Sequence, residues 1–171
     1  ANIPYYITSP IIRLFLETER QPEWMVLMVQ KEVAERIVAR PPNMSILAVS
    51  VQFYADAKII SYVPKGCFWP VPNVDSAIIA IRPRKNAETD AEKRGKIDRD
   101  KFFKIVKAGF SHPRKQLAGN LSKTLKVDKK RITEWLLKNN IQPAQRAETL
   151  TIAHWESLAG TFYFFNQRTA L

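Results

Sequence analysis

Apolar and polar positions alternate in the first part of the chain in a way that predicts both helices and strands. Ser9-Pro10 predicts the start of a helix, because a serine N-cap followed by proline at the first helical position is a common beginning. Residues 24–29 (WMVLMV) form a continuous apolar run after a proline, which predicts a buried central strand. Residues 31–40 predict a helix that ends at Pro41-Pro42. Strand and helix alternation favours an α/β domain.

The next segment predicts two further strands around a stiff loop. Residues 44–54 are ambiguous between helix and strand, with apolar spacing that leans towards a helix. Residues 57–63 and 74–81 predict strands. Between them, residues 64–73 (PKGCFWPVPN) are too rich in proline for regular structure, because proline fixes φ and removes a backbone donor. Such a loop suits the wall of a base pocket.

The rear of the chain predicts a linker and then helices only. Residues 84–97 are polar and densely charged, as linkers often are. Asp98 and Asp128 predict the N-caps of two helices, Pro113 the beginning of another, and Thr151 or a neighbour the beginning of the last. The pattern therefore predicts an α/β region at residues 1–83, a linker at 84–97 and a helical domain at 98–171.

Positive charge is concentrated in the helical part. The formal net charge is +11, of which residues 1–82 carry +1 and residues 83–171 carry +10. One-sided charge favours a module that binds a polyanion, although a solvated basic surface is the alternative. Basic residues on helices or at their ends, with apolar residues on the other faces, are candidates for contacts with RNA phosphates: Lys104, Lys107, Arg114, Lys115, Lys123 and Lys126.

Other residue types argue against several classes of site. The single cysteine, Cys67, excludes a disulfide within the chain and fits a reduced, cytoplasmic setting. His112 and His154 lack a second ligand at metal-binding spacing, so we expect no metal. No apolar run reaches the roughly 18 residues of a membrane span, so we expect no membrane association.

Asn2-Ile3-Pro4-Tyr5 is the most informative chemical pattern. The asparagine side-chain oxygen and the Pro4 carbonyl can accept hydrogen bonds from an exocyclic amine, and the tyrosine ring offers a stacking face. This combination suits adenine. The alternative is a turn residue followed by a loop that packs against a helix.

The tetrapeptide resembles the Asn-Leu-Pro-Tyr motif of adenine-N6 methyltransferases that act on RNA, specifically the small-subunit ribosomal RNA adenine dimethyltransferases. Four further segments resemble motifs of that family in the same order: residues 30–37 (QKEVAERI), 68–77 (FWPVPNVDSA), 110–117 (FSHPRKQL) and 143–150 (PAQRAETL). Within the third, His112-Pro113 departs from the family pattern.

The resemblance implies a fold and an activity. The fold is α/β then all-α: the C-terminal half of a Rossmann-like S-adenosylmethionine-dependent methyltransferase sheet, followed by a small helical RNA-binding domain. The activity is N6,N6-dimethylation of two adjacent adenines in small-subunit ribosomal RNA, with the small ribosomal subunit as partner. The implied catalytic residues are Asn2, Pro4, Tyr5 and Phe68, where Phe68 would be a second stacking ring unless it only anchors the proline loop.

The resemblance also implies that the cofactor-binding half is missing. The five glycines are scattered singly, so the glycine-rich turn of an S-adenosylmethionine site is absent and only Asn2 remains of that site. We therefore expect this chain to be inactive alone.

Two alternatives for the function stay open. One is a large-subunit ribosomal RNA methyltransferase of the erythromycin-resistance type, and the other is a non-catalytic RNA-binding or transcription factor of the same fold. Self-association through an exposed sheet edge is an alternative to folding as a monomer.

Overall fold

The computed structural model describes residues 1–84 and 97–167, with the side chains of 163–167 excepted. The strands are β1 (Met25–Gln30), β2 (Ala55–Val63) and β3 (Ser76–Pro83). The α-helices are α1 (Thr8–Glu17), α2 (Lys31–Val38), α3 (Ile46–Tyr54), α4 (Arg99–Gly109), α5 (Leu117–Leu125), α6 (Lys129–Lys138) and α7 (Ile152–Gln167). Short 3-10 turns cover Tyr5–Ile7, Lys65–Cys67 and Ala147–Thr149. The fold class predicted from the sequence, an α/β region followed by helices, is confirmed.

Within the described residues, the chain divides into two compact units. The first contains Ala1–Ala39 and the chain from Leu47 through β3, and the second contains Arg40–Ile46 and α4 to α7. Most of the predicted linker at 84–97 lies outside the described residues, so the predicted boundaries stay predictions.

The first unit is built on an antiparallel sheet in the order β1–β3–β2. The middle strand is β3, and most of its side chains are buried. The strand predicted at residues 24–29 is present as β1, but the prediction that it is a buried central strand was wrong. Burial alternates along β1: Met25, Leu27 and Val29 pack with α1, α2 and α3, whereas Val26 lies on the opposite face and is 51% exposed. The outer edge of β2 has no partner strand in the described part of the chain, and self-association there remains untested.

Helices α1, α2 and α3 pack their apolar faces with the sheet. Ile12, Leu16, Ile37 and Val51 join strand residues in one buried cluster. The buried side chain of Gln52 donates hydrogen bonds to the carbonyls of Ile37 and Ala39, both at 2.8 Å. These bonds satisfy acceptors at the end of α2, where helical carbonyls have no partner within the helix.

The predicted start of α1 was wrong by a short distance. The helix begins at Thr8 with Ile7 at the N-cap, so Ser9 lies inside it. The reason is the 3-10 turn immediately before, which runs directly into the helix: Ile7 N–H donates to the Pro4 carbonyl and Thr8 N–H to the Tyr5 carbonyl.

Side-chain caps set the helix beginnings in the second unit. Asp98 accepts from Lys101 N–H at 3.1 Å, Asp128 accepts from Lys130 N–H at 2.8 Å, and the Thr151 hydroxyl accepts from His154 N–H at 3.2 Å. These predictions are confirmed. Hydrogen bonds from the Lys101 side chain and then its backbone lower the pKa of Asp98. The prediction for Pro113 was wrong, because α5 begins only at Leu117 and the intervening residues form a loop.

Close packing between Gly109 and Trp155 defines the core of this unit. Trp155 is fully buried, and its ring lies 5.6 Å from that of Phe110. A Cβ atom on Gly109 would overlap Cη2 of Trp155 and approach Leu117 Cδ1 within 3.1 Å. The helix end and the tryptophan therefore meet at a distance that only glycine permits.

The segment Arg40–Ile46 belongs to the helical unit although it lies between α2 and α3 in sequence. Met44 is 4% exposed, and its N–H donates to the Glu148 carbonyl at 3.0 Å. The helical unit is therefore assembled from two separate parts of the chain.

We predict that Gly109→Ala lowers the free energy of unfolding by about 1–3 kcal/mol, because the added methyl group must displace the Trp155 ring. Gly119→Ala is the matched control: a Cβ there meets nothing within 4 Å, and replacing a helical glycine should be neutral or gain about 0.5–1 kcal/mol. Urea titrations followed by circular dichroism measure both. Equal stability of the two variants would contradict this account of the core.

Candidate functional site

The Asn2–Tyr5 loop leaves the sheet beside β1, on the side away from β3. The Ala1 nitrogen donates to the Val26 carbonyl at 2.6 Å, and Met28 N–H donates to the Ala1 carbonyl at 2.9 Å. Asn2 forms a parallel bridge with Met28, so the chain runs towards the carboxyl end of β1 at this point. A loop at the carboxyl end of parallel strands is where open α/β sheets bind ligands.

Tyr5 is anchored by a side chain that sequence reasoning gave no role. Its hydroxyl lies 2.7 Å from Oγ of Ser76, which is fully buried at the start of β3. Ser76 also pairs in register with Gln30 of β1 and Val63 of β2. The Tyr5 ring is half-buried, whereas neighbouring Tyr6 is 84% exposed.

Asn2 and Pro4 offer hydrogen-bond acceptors on the surface. Both residues are exposed. The Pro4 carbonyl accepts from Ile7 N–H at 3.1 Å, which leaves a second lone pair for another donor. The side chain of Asn2 makes no hydrogen bond within the described residues. These groups are available for the predicted contacts with an amine, and their catalytic role stays a prediction.

Phe68 lies in a loop whose two ends are joined by Asp75, a second residue to which the sequence assigned no role. Asp75 Oδ1 accepts from Lys65 N–H, and the Asp75 carbonyl accepts from Lys31 N–H, both at 3.0 Å. Phe68 is half-buried, and Trp69 at the tip is 95% exposed. The Phe68 loop returns to the sheet at Asp75, the residue before Ser76. The Phe68 loop and the Asn2–Tyr5 loop therefore both contact the start of β3. Stacking of a base on either ring is still to be tested.

A cleft of about 320 Å³ opens next to this point. It lies between the end of β1, the first turns of α2 and the base of the Phe68 loop. Its lining residues are Gln30, Lys31, Glu32, Glu35, Lys65, Asn73, Val74 and Asp75.

In the helical unit, a buried asparagine shapes the loop that carries Arg114 and Lys115. Asn120 is 3% exposed, and its Nδ2 donates to the carbonyls of Gly109 at 2.7 Å and His112 at 3.0 Å. Residues 111–116 are all exposed. Sequence reasoning missed Asn120, although its position one turn into the helix after the basic loop was a usable signal.

The remaining basic candidates are also exposed. Lys104 and Lys107 lie three residues apart on α4, and the Lys104 ammonium lies 6.0 Å from the centre of the Phe162 ring. Lys123 lies in the last turn of α5, and Lys126 follows it in the left-handed conformation. That the six basic residues form one phosphate-binding surface stays a prediction.

The glycines do not supply the turn that an S-adenosylmethionine site needs. Gly66 lies in a 3-10 turn, Gly109 ends α4, and Gly119 and Gly160 lie inside helices. No glycine-rich connection from a strand to a helix occurs in residues 1–84 or 97–167, and Gly95 lies outside them. The described residues therefore do not by themselves fit the cofactor, and Asn2 is the one candidate contact.

The described residues contain neither an arrangement of metal ligands nor a membrane-spanning helix. No group of three or more histidine, cysteine, aspartate or glutamate side chains in residues 1–84 and 97–162 is arranged to hold a metal ion. None of the described helices is both long and apolar enough to cross a membrane.

Comparisons with known proteins agree with the motifs. The family model described as ribosomal RNA adenine dimethylase matches residues 1–162. Ribosomal RNA small subunit methyltransferase A from Dehalococcoides mccartyi is 44% identical over 158 residues, covering 92% of this chain and 53% of the relative. The protein of the same name from Oceanobacillus iheyensis is 36% identical over 172 residues, covering 98% and 57%. The chain thus spans about half the length of the curated relatives it matches.

Solved structures show the same fold. A dimethyladenosine transferase from Plasmodium falciparum superimposes with a TM-score of 0.78 at 24% identity, covering 97% of this chain and 66% of that one. The 23S ribosomal RNA methyltransferase ErmE gives a TM-score of 0.65 at 24% identity, covering 93% and 62%. With a family model that matches nearly the whole sequence, the chain belongs to the ribosomal RNA adenine dimethylase family.

Proposed function

We propose that this chain supplies the adenine-holding loop and an RNA-binding helical unit to an enzyme that dimethylates N6 of two adjacent adenines in small-subunit ribosomal RNA. The methyl donor would be S-adenosylmethionine, and the enzyme would act in the cytoplasm on the small ribosomal subunit. The observation that carries the proposal is the Asn2–Tyr5 loop, held at the carboxyl end of β1 by the bond between Tyr5 and Ser76.

The chemistry of the acceptor explains why these residue types suffice. The adenine amine is a poor nucleophile, because its lone pair is delocalised into the ring. Acceptors at the Asn2 side chain and the Pro4 carbonyl would hold its two hydrogens and favour a more tetrahedral nitrogen. No strong base is needed for this, since positioning and local electrostatics perform the work.

Reaching the adenine requires that it leave its stack, at a cost of a few kcal/mol. Stacking on an aromatic ring returns about 1–3 kcal/mol per base. The hydroxyl bond to Ser76 holds the Tyr5 side chain in place before RNA arrives, so less side-chain entropy is lost on binding. Phe68 is proposed as the second ring.

The exposed loop at residues 111–116 is proposed as the centre of the RNA contact in the helical unit. Arg114 and Lys115 are exposed, and Asn120 holds the beginning of their loop through the carbonyls of Gly109 and His112. Lys115 N–H in turn donates to the His112 carbonyl at 3.0 Å. A loop whose backbone is already held can bind phosphates at a lower entropic cost. The large-subunit alternative is less well supported, because the curated relatives described above are named as small-subunit enzymes.

We predict that the double variant Arg114→Glu with Lys115→Glu weakens binding of a small-subunit ribosomal RNA hairpin and flattens its salt dependence. Loss of two phosphate contacts should reduce the slope of log K against log salt by about 1.5. The matched control is Lys129→Glu with Lys130→Glu, which makes the same change of charge at exposed positions of α6. Fluorescence anisotropy at several salt concentrations measures both, and equal losses in the two variants would remove the special role of the loop.

We further predict that methyl transfer needs a longer chain and Asn2. Undermethylated small ribosomal subunits would be incubated with labelled S-adenosylmethionine and either this chain or a fusion carrying the upstream portion of the Dehalococcoides mccartyi relative. Label should enter adenine only with the fusion, and Asn2→Ala should lower its rate about 10²–10³-fold, as loss of one positioned polar group does. Asn43→Ala, at another exposed asparagine, is the control. A fusion that binds RNA but transfers no label would instead support the non-catalytic alternative.

A further inference from the structure

We propose that the cleft at the base of the Phe68 loop binds the nucleotide next to the target adenine on the same single RNA strand. This inference rests on the proposed function and adds a second nucleotide site to it. Its lining residues are distinct from Asn2, Pro4, Tyr5 and Phe68, which are proposed to hold the target base.

The cleft and the Asn2–Tyr5 loop lie against the same part of the sheet. Gln30 lines the cleft and pairs in register with Ser76, whose hydroxyl binds Tyr5. Asp75, the residue before Ser76, lines the cleft as well. A strand that places one base against Tyr5 therefore has the cleft within reach of the adjoining nucleotide.

The frame of the cleft is fixed by backbone bonds. Asp75 holds the backbone of Lys65 through its carboxylate and the backbone of Lys31 through its carbonyl. These bonds join the Phe68 loop, the start of α2 and the start of β3. The shape of the cleft is thus set before any ligand binds, which reduces the cost of binding.

Several polar groups in the cleft are not used within the protein. The side-chain amides of Gln30 and Asn73 and the ammonium of Lys65 make no hydrogen bond or ion pair within residues 1–84 and 97–162. Amides can pair with a base edge through one donor and one acceptor, as asparagine and glutamine do with adenine. The ammonium suits the connecting phosphate.

The acidic side chains of the lining have partners of their own. Glu32 lies 3.9 Å from Arg36, and the Glu35 carboxylate lies 3.5 Å from the Tyr62 hydroxyl. The Lys31 ammonium lies 5.4 Å from the centre of the Tyr62 ring. The lining thus holds three carboxylates, from Glu32, Glu35 and Asp75, and two ammonium groups, from Lys31 and Lys65. Of the two cations, Lys65 is the one without a ring contact or an ion pair in the described residues.

The size of the cleft limits the ligand to about one nucleotide. A volume of about 320 Å³ is at the small end of the range for small-molecule sites. An unstacked nucleotide offers what the lining can bind: a polar base edge, a hydroxylated sugar and a phosphate.

The test uses the 171-residue chain and an RNA hairpin whose single-stranded loop contains two adjacent adenines, with 2-aminopurine replacing either one. The double variant Lys65→Met with Asn73→Leu should bind the hairpin about tenfold more weakly, the loss expected for a base contact and a phosphate contact. It should also lose the fluorescence change of one 2-aminopurine position while keeping that of the other. Lys58→Met, at an exposed lysine of β2 outside the cleft, should change affinity less than twofold.

Each outcome decides between the proposals. A double variant that binds as tightly as Lys58→Met, with both fluorescence changes intact, overturns the second site and leaves the proposed function standing. If the unsubstituted chain does not bind the hairpin at all, both proposals fail. If adenosine monophosphate binds the unsubstituted chain as tightly as the hairpin does, the cleft takes a free nucleotide and the strand assignment is wrong. Circular dichroism melting confirms that the variants are folded, and Asn73→Ala replaces Asn73→Leu if the latter is not.

Discussion

The hydrogen bond between Tyr5 and Ser76 is the constraint on which the geometry of the candidate site depends. Ser76 is fully buried, so water cannot replace its partner, and a buried hydroxyl left without a bond costs about 1–3 kcal/mol. The same residue begins the middle strand and pairs with Gln30 of β1 and Val63 of β2. One residue therefore connects the position of the aromatic ring to all three strands of the sheet.

The positions of the elements were largely predictable from the sequence, because apolar spacing and capping residues act over a few neighbours. Asp98 and Asp128 begin helices as their side chains dictate. The order of the strands was not predictable in this way, since a run of apolar residues does not encode which strand it pairs with. Val26 illustrates the limit: its hydrophobicity suggested burial, yet it lies on the face of β1 opposite the core cluster and is 51% exposed. Ser9 and Pro113 failed for a related reason, because a preceding turn or an interposed loop moved the helix start.

The residues of the candidate site fall into the same two groups: those predictable from neighbouring residues and those that depend on contacts made in the fold. Asn2, Pro4 and Tyr5 were identified from the chemistry of adjacent residues and from a family motif. Ser76, Asp75 and Asn120 were given no role, because each acts through a contact with a residue distant in sequence or through a loop that only the folded backbone defines. Local chemistry can be read from a sequence, whereas the groups that hold it in place become visible only with the fold.

The insertion of Arg40–Ile46 into the helical unit has a consequence for modularity. Met44 is buried in that unit and bonded to Glu148, although the chain must pass through α3, β2 and β3 before it reaches α4. The helical unit is thus not a contiguous cassette. An exchange of helical units between relatives, whether by recombination or by protein engineering, must carry this short segment along with the helices or leave a hole where Met44 belongs.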